Sequence, residues 1–187
     1  EAVDAGTYAT GLEHYLTEGK DAGLKTFAPF TKVHGYSGND NIVLREGDET
    51  ALGYGGNDTI EGGAGNDTID GGAGSDTLSV SGRSAVTIDL TKTGRQDTGY
   101  GRDLIKNIEN INGTRASDVL TGNGTANALK GGAGNDRLSG GDGHDNLDGG
   151  SGNDRIYMDA GNDTIDGGAG SDWLWVSGNA AAAVDLS

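Results

Sequence analysis

The sequence repeats itself every nine residues, and that periodicity constrains the fold more than any other feature. Residues 62–70 read GGAGNDTID and residues 71–79 read GGAGSDTLS. In this frame five units start at 35, 44, 53, 62 and 71, and seven more start at 113, 122, 131, 140, 149, 158 and 167. Position 8 is Ile or Leu in eleven of the twelve units, Ala51 being the exception. Position 6 is Asp in ten: Asp40, Asp58, Asp67, Asp76, Asp118, Asp136, Asp145, Asp154, Asp163 and Asp172, with Glu49 and Asn127 in the other two. Position 4 is Gly in ten, Ala116 and Thr125 departing. A flexible polar linker has no reason to hold one apolar residue at a fixed position, so the repeat specifies structure.

Glycines at positions 1, 2 and 4 let the backbone turn sharply. Residues 7 to 9 then form a short strand with side chain 8 inward and its neighbours outward. Two units complete a coil, so residues 18 apart stack one strand spacing, about 4.8 Å, from each other. The expected fold is all-β: a right-handed parallel β-roll of two thin sheets, each over a single file of Ile/Leu. One such residue per nine ordered residues is little apolar burial to set against chain entropy. The position-6 carboxylates also line up in mutually repelling columns. A hard cation between stacked turns relieves that repulsion through the carbonyl oxygens the glycines expose, so that binding energy becomes folding energy.

Composition supports this reading. Lys and Arg number 13 against 29 Asp and Glu, a net charge of −16 that repels nucleic acid and anionic lipid and attracts cations. No apolar run approaches the ~20 residues of a membrane-spanning helix. The absence of Cys excludes disulfides and zinc–thiolate sites. Only 33% of residues are hydrophobic and 5% aromatic, too few for an ordinary packed core.

The repeat resembles the GGxGxDxUx nonapeptide of RTX, or haemolysin-type calcium-binding, proteins exported by Gram-negative bacteria. The resemblance implies calcium as cofactor, held between units n and n+2 by the position-6 carboxylate and the main-chain carbonyls of positions 1, 2 and 4. Carried onto this chain, the ligands are the ten Asp named above. The glycines are Gly63, Gly65, Gly72, Gly74, Gly132, Gly134, Gly141, Gly143, Gly150, Gly152, Gly161, Gly168 and Gly170. Five units and seven units allow at most about eight such sites. Units 44 and 122 depart most from the pattern, and unit 158 opens MDAGND yet keeps Gly161 and Asp163. The resemblance further implies an extracellular or cell-surface location, reached unfolded by type I secretion.

A longer duplication overlies the nonads: residues 71–90 recur at 167–186. The expected organisation is a short helical segment at 1–34, block one at 35–79, a capping strand and connector at 80–112, block two at 113–175, and the start of a second capping strand at 176–187. Residues 86–90 are expected to cover the open end of block one. Leu104, Ile105, Ile108 and Ile111 are expected to seal the start of block two. Tyr8, Leu12, Tyr15 and Leu16 share a helical face, with Gly19 as C-cap. The second duplicate stops where the first continues, so the chain is expected to be a piece of a longer repetitive protein.

No catalytic constellation emerges, and the chain reads as non-catalytic. His14, His34 and His144 are scattered, no HExxH or phosphate loop occurs, and the repeat already accounts for the paired carboxylates. The outward faces are more informative. Units 131, 149 and 167 present Arg137 and Ser139, Arg155 and Tyr157, then Trp173 and Trp175 on one side of an acidic protein. Arg137, Arg155, Tyr157, Trp173 and Trp175 are thus candidate partner-binding residues, for a cell-surface protein or an acidic polysaccharide. Alternatively the tryptophans are covered by residues 182–186 or by further sequence. The functional expectation is a calcium-dependent module of an exported protein with a structural, adhesive or partner-binding role. The alternative is the accessory module of a secreted metalloprotease or polysaccharide-modifying enzyme whose catalytic domain lies outside this chain.

Overall fold

The computed structural model describes residues 31–177 and 181–185. The expected helices of residues 1–30 lie outside the described residues. The strands begin with β1 (Lys32–His34), β2 (Asn41–Val43), β3 (Thr50–Leu52), β4 (Thr59–Gly62), β5 (Thr68–Asp70) and β6 (Thr77–Val80). The middle of the chain forms β7 (Thr87–Asp89), β8 (Gln96–Asp97), β9 (Arg102–Lys106), β10 (Asn110–Asn112), β11 (Val119–Thr121) and β12 (Ala128–Ala133). The last are β13 (Arg137–Ser139), β14 (Asn146–Ser151), β15 (Arg155–Met158), β16 (Asn162–Asp166), β17 (Trp173–Val176) and β18 (Ala181–Asp185). No helix occurs among the described residues.

Most strands stack in parallel at the 18-residue offset, with Ile42 opposite Ile60, Leu138 opposite Ile156 and Leu147 opposite Ile165. Position 8 is buried in strand after strand while positions 7 and 9 are more open, the alternation that a pleated strand imposes. The core is therefore two files: Ile42, Ile60, Leu78, Ile111, Leu129, Leu147 and Ile165 beneath one sheet, and Ala51, Ile69, Ile105, Ile88, Leu120, Leu138 and Ile156 beneath the other face. The architecture is the expected parallel β-roll.

The two blocks share one layer. A single sheet runs β18-β16-β14-β12-β10-β6-β4-β2 through both. The opposite face carries two five-stranded sheets, β1-β3-β5-β9-β8 and β17-β15-β13-β11-β7. Three expectations change as a result. Residues 32–34, assigned to a helical segment, are a strand, because Val33 stands opposite Ala51 at the repeat offset. Residues 87–89 do not cover block one; they pair with β11 of block two, Ile88 opposite Leu120. Ile105, Ile108 and Ile111 are buried, but Ile105 extends the file of block one opposite Ile69, and Leu104 faces outward half-buried.

Between the blocks the chain doubles back. β9 adds to β5, β8 runs antiparallel to β9, and the side-chain amide of Gln96 on β8 bonds both the N–H and the carbonyl of Asp89 on β7. In space the order is β9, β8, β7, the reverse of the sequence.

Candidate metal centre

Each turn is joined to the next at the same corner by its position-6 residue. The backbone N–H donates to Oδ1 of the Asp one coil further on: Asp118 to Asp136 at 2.7 Å, Asp136 to Asp154 at 2.7 Å, and Asp154 to Asp172 at 2.9 Å. Asp40 to Asp58, Asp58 to Asp76 and Asp145 to Asp163 repeat the link at 2.8, 2.7 and 3.0 Å. One oxygen of each carboxylate is thus consumed in holding the coils in register.

The second oxygen is the site. Oδ2 of Asp58, Asp67, Asp76, Asp136, Asp145, Asp154 and Asp172 is buried and accepts no hydrogen bond. A buried acceptor left unpaired costs about 1–3 kcal/mol, more when charged. Burial accordingly pushes Asp136 up to about 7 and Asp145 up to about 6, with neighbouring carboxylates adding to it. Asp67, Asp76 and Asp154 are raised for the same first cause. Left to the protein alone, these groups resist ionisation; a cation beside them reverses that.

The surroundings suit a cation and exclude a side chain. A Cβ on Gly149 would stand 2.5 Å from Asp154 Oδ2 and 2.6 Å from the Gly167 carbonyl oxygen of the next coil. A carboxylate oxygen and a carbonyl oxygen thus converge where only glycine leaves room. At positions 2 and 4 of the same unit, Gly150 and Gly152 have φ of +94° and +142°, which side-chain-bearing residues rarely adopt. Among the described residues no three His, Cys, Asp or Glu side chains converge. The donors on offer are one carboxylate with carbonyls, an all-oxygen set that fits calcium rather than a thiolate- or imidazole-seeking metal.

The chain matches the family model of the RTX calcium-binding nonapeptide repeat (4 copies) over residues 45–78, 107–138, 121–156, 139–174 and 159–179, more than half of its length. This chain belongs to the RTX calcium-binding nonapeptide repeat family. No curated protein matches it. Among solved structures it is similar to the extracellular lipase LipA from Serratia marcescens, at 21% identity and a TM-score of 0.35, over 81% of this chain and 33% of that one. The chain therefore spans a third of that structure's length.

Not every RTX unit presents the same site. In four units the position-2 N–H donates to the position-6 side chain: Tyr36 to Asp40 at 2.5 Å, Arg45 to Glu49 at 2.6 Å, Thr114 to Asp118 at 2.6 Å and Asn123 to Asn127 at 2.8 Å. Asp163 is buried but is not among the unpartnered seven.

The structure also reveals units that the twelve-unit frame misses. Residues 98–106, TGYGRDLIK, form a further nonad with Gly99 at position 2, Gly101 at 4, Asp103 at 6 and Ile105 at 8, and Asp103 Oδ1 accepts the Asp67 N–H at 2.8 Å. Residues 107–112 are a shortened unit in which Glu109 accepts the Asp76 N–H at 2.8 Å. The signal for the first was present: Gly-x-Gly-x-Asp-x-Ile, in phase with block one.

Of the histidines, His34 pairs with the Tyr54 hydroxyl at 2.8 Å, and His144 Nδ1 accepts the Asn162 N–H at 2.9 Å. His14 lies outside the described residues. The Arg/Trp face stacks as the repeat dictates: Arg137 opposite Arg155 opposite Trp173, and Ser139 opposite Tyr157 opposite Trp175. The Arg137 guanidinium lies 4.4 Å from the centre of the Tyr157 ring, and a groove of about 390 Å³ runs past Arg137, Tyr157, Asp159 and Trp175. Trp173 and Trp175 are 74% and 68% exposed. Residues 181–185 pair with β16 in the opposite sheet, so that strand does not cover the tryptophans.

Proposed function

We propose that this chain is a non-catalytic, calcium-dependent module of an exported bacterial protein, ordered by calcium outside the cell. The observation that carries the proposal is the set of seven buried, unpartnered Asp Oδ2 atoms, six of them beside a position-1 glycine where a side chain would collide with the carboxylate. In the low calcium of a cytosol those carboxylates oppose folding, which keeps the chain extended for export. In the millimolar calcium of an extracellular medium they favour it. The working surface is the β13-β15-β17 face, where two exposed tryptophans and two arginines supply the side chains enriched in binding hot spots.

Co-sedimentation with Gram-negative cell envelopes tests this role. The wild-type chain is compared with Trp173→Ala/Trp175→Ala in millimolar calcium and in excess chelator, with folding followed by circular dichroism. Sedimentation that needs calcium and is lost in the folded double variant is expected. No sedimentation of either protein overturns the attachment role; undiminished sedimentation of the variant overturns the choice of face.

A further inference from the structure

In most turns the conformation of the position-2 residue tracks whether the position-6 Oδ2 is left unpartnered. In units 71, 131, 140, 149 and 167, Gly72, Gly132, Gly141, Gly150 and Gly168 have φ between +83° and +105°, and each position-6 Oδ2 is unpartnered. In none of these five turns does the position-2 N–H bond that oxygen. Where that residue is Tyr36, Arg45, Thr114 or Asn123, φ is not positive and the N–H fills the acceptor instead. Tyr54 conforms by conformation rather than identity: its φ is +73°, its hydroxyl is tied to His34, and Asp58 Oδ2 is unpartnered. Gly63 departs from the rule, since its φ is not positive while Asp67 Oδ2 is unpartnered.

Units 35 and 44 stand at the N-terminal end of the described roll, and the other self-satisfied turns lie together in its middle. Asp118 Oδ2 takes both the N–H and the hydroxyl of Thr114, at 2.6 and 3.1 Å. Asn127 takes the Asn123 N–H and donates its amide to the Glu109 carbonyl at 2.7 Å. Asp103 Oδ2 accepts the Thr98 hydroxyl. At the position-6 place of the turn before β7 stands Val86, buried, its N–H donating to Asp118 Oδ1 at 2.8 Å. The positive charge at this seam is the protein's own. The Arg95 guanidinium donates to the carbonyls of Asn66, Asp67 and Arg102 at 3.0, 3.0 and 2.8 Å, bridging two coils.

We infer that the calcium column is split into two arrays, one built on Asp58, Asp67 and Asp76 and one on Asp136, Asp145, Asp154 and Asp172, separated by a metal-independent joint. Asp40 and Asp118, which the family pattern makes ligands, hold no ion of their own. The inference rests on the calcium reading above and adds which turns take the metal.

Calcium stoichiometry by equilibrium dialysis with elemental analysis tests it, each variant being checked for folding by circular dichroism. Asp118→Asn is expected to bind as many ions as wild type, and Asp136→Asn about one fewer. Thr114→Gly/Ala116→Gly restores the open backbone of unit 113 and is expected to gain about one ion, a result that does not depend on Asp136→Asn folding. An equal loss from Asp118→Asn and Asp136→Asn, or no gain in the glycine variant, overturns the two-array assignment. Failure of the wild-type chain to take up calcium overturns the calcium reading itself.

Discussion

Replacing Leu138 by Ala measures how tightly the thin core and the metal column are coupled. Leu138 is fully buried in its file between Leu120 and Ile156. Truncating such a residue costs about 2–5 kcal/mol, because the neighbours cannot close the cavity. The second array offers four carboxylates, Asp136, Asp145, Asp154 and Asp172. If roughly four ions bind only the folded roll, the loss is offset when each binding term grows by about a quarter of it. A loss of about 3 kcal/mol then raises the calcium midpoint of folding nearly fourfold, and the full range corresponds to roughly two- to eightfold. The assay is far-ultraviolet circular dichroism against buffered free calcium. Lys130→Ala, an exposed change on the opposite sheet, serves as control and is expected to move the midpoint by less than about 1.3-fold. A Leu138→Ala chain that still folds on calcium with an unmoved midpoint would refute the coupling of core burial to metal binding.

Two further outcomes follow from the same geometry. Asp136 and Asp145 have folded-state pKa values raised to about 7 and about 6 from 3.8. The metal-free roll therefore holds these protons more tightly than the unfolded chain does. Its stability is greatest below the unfolded value and falls as pH rises from about 4 through about 7. Strand signal in chelator is expected to increase from pH 8 to pH 5, while the calcium midpoint rises over the same interval because protons compete with the ion; parallel trends with and without calcium would contradict this. Gly152→Ala places a Cβ 2.5 Å from the Gly134 carbonyl carbon at φ +142° and is expected to raise the calcium midpoint severalfold. Gly124→Ala meets nothing within 4 Å and is expected to leave the midpoint unmoved, so equal effects in the same titration would argue against close backbone stacking.

Much of the roll is legible in the sequence because its register is local arithmetic. An 18-residue offset places Leu138 on Ile156 and Arg155 on Trp173 without any knowledge of the rest of the chain. The seam is another matter. Thr98 replaces the opening Gly of its unit, and the next unit, 107–112, lacks three positions, so the frame breaks although Gly99, Gly101, Asp103 and Ile105 keep their places. The reversal of β7, β8 and β9 leaves no periodic mark at all, since it is fixed by the Gln96 amide reaching Asp89. The division of carboxylates into open and self-satisfied is only half visible. The sequence shows Thr114 where Gly is usual, but the direction of its N–H is a property of the folded backbone.

The central claim, that metal binding supplies the folding energy, is tested most directly by circular dichroism of the whole chain as calcium is removed and restored. A chain whose strand signal is lost in excess chelator at pH 7.5 and returns with millimolar calcium, but not with an equal concentration of sodium, is the expected result. An unchanged strand spectrum in excess chelator contradicts the account, because the seven buried oxygens would then be tolerated without a cation.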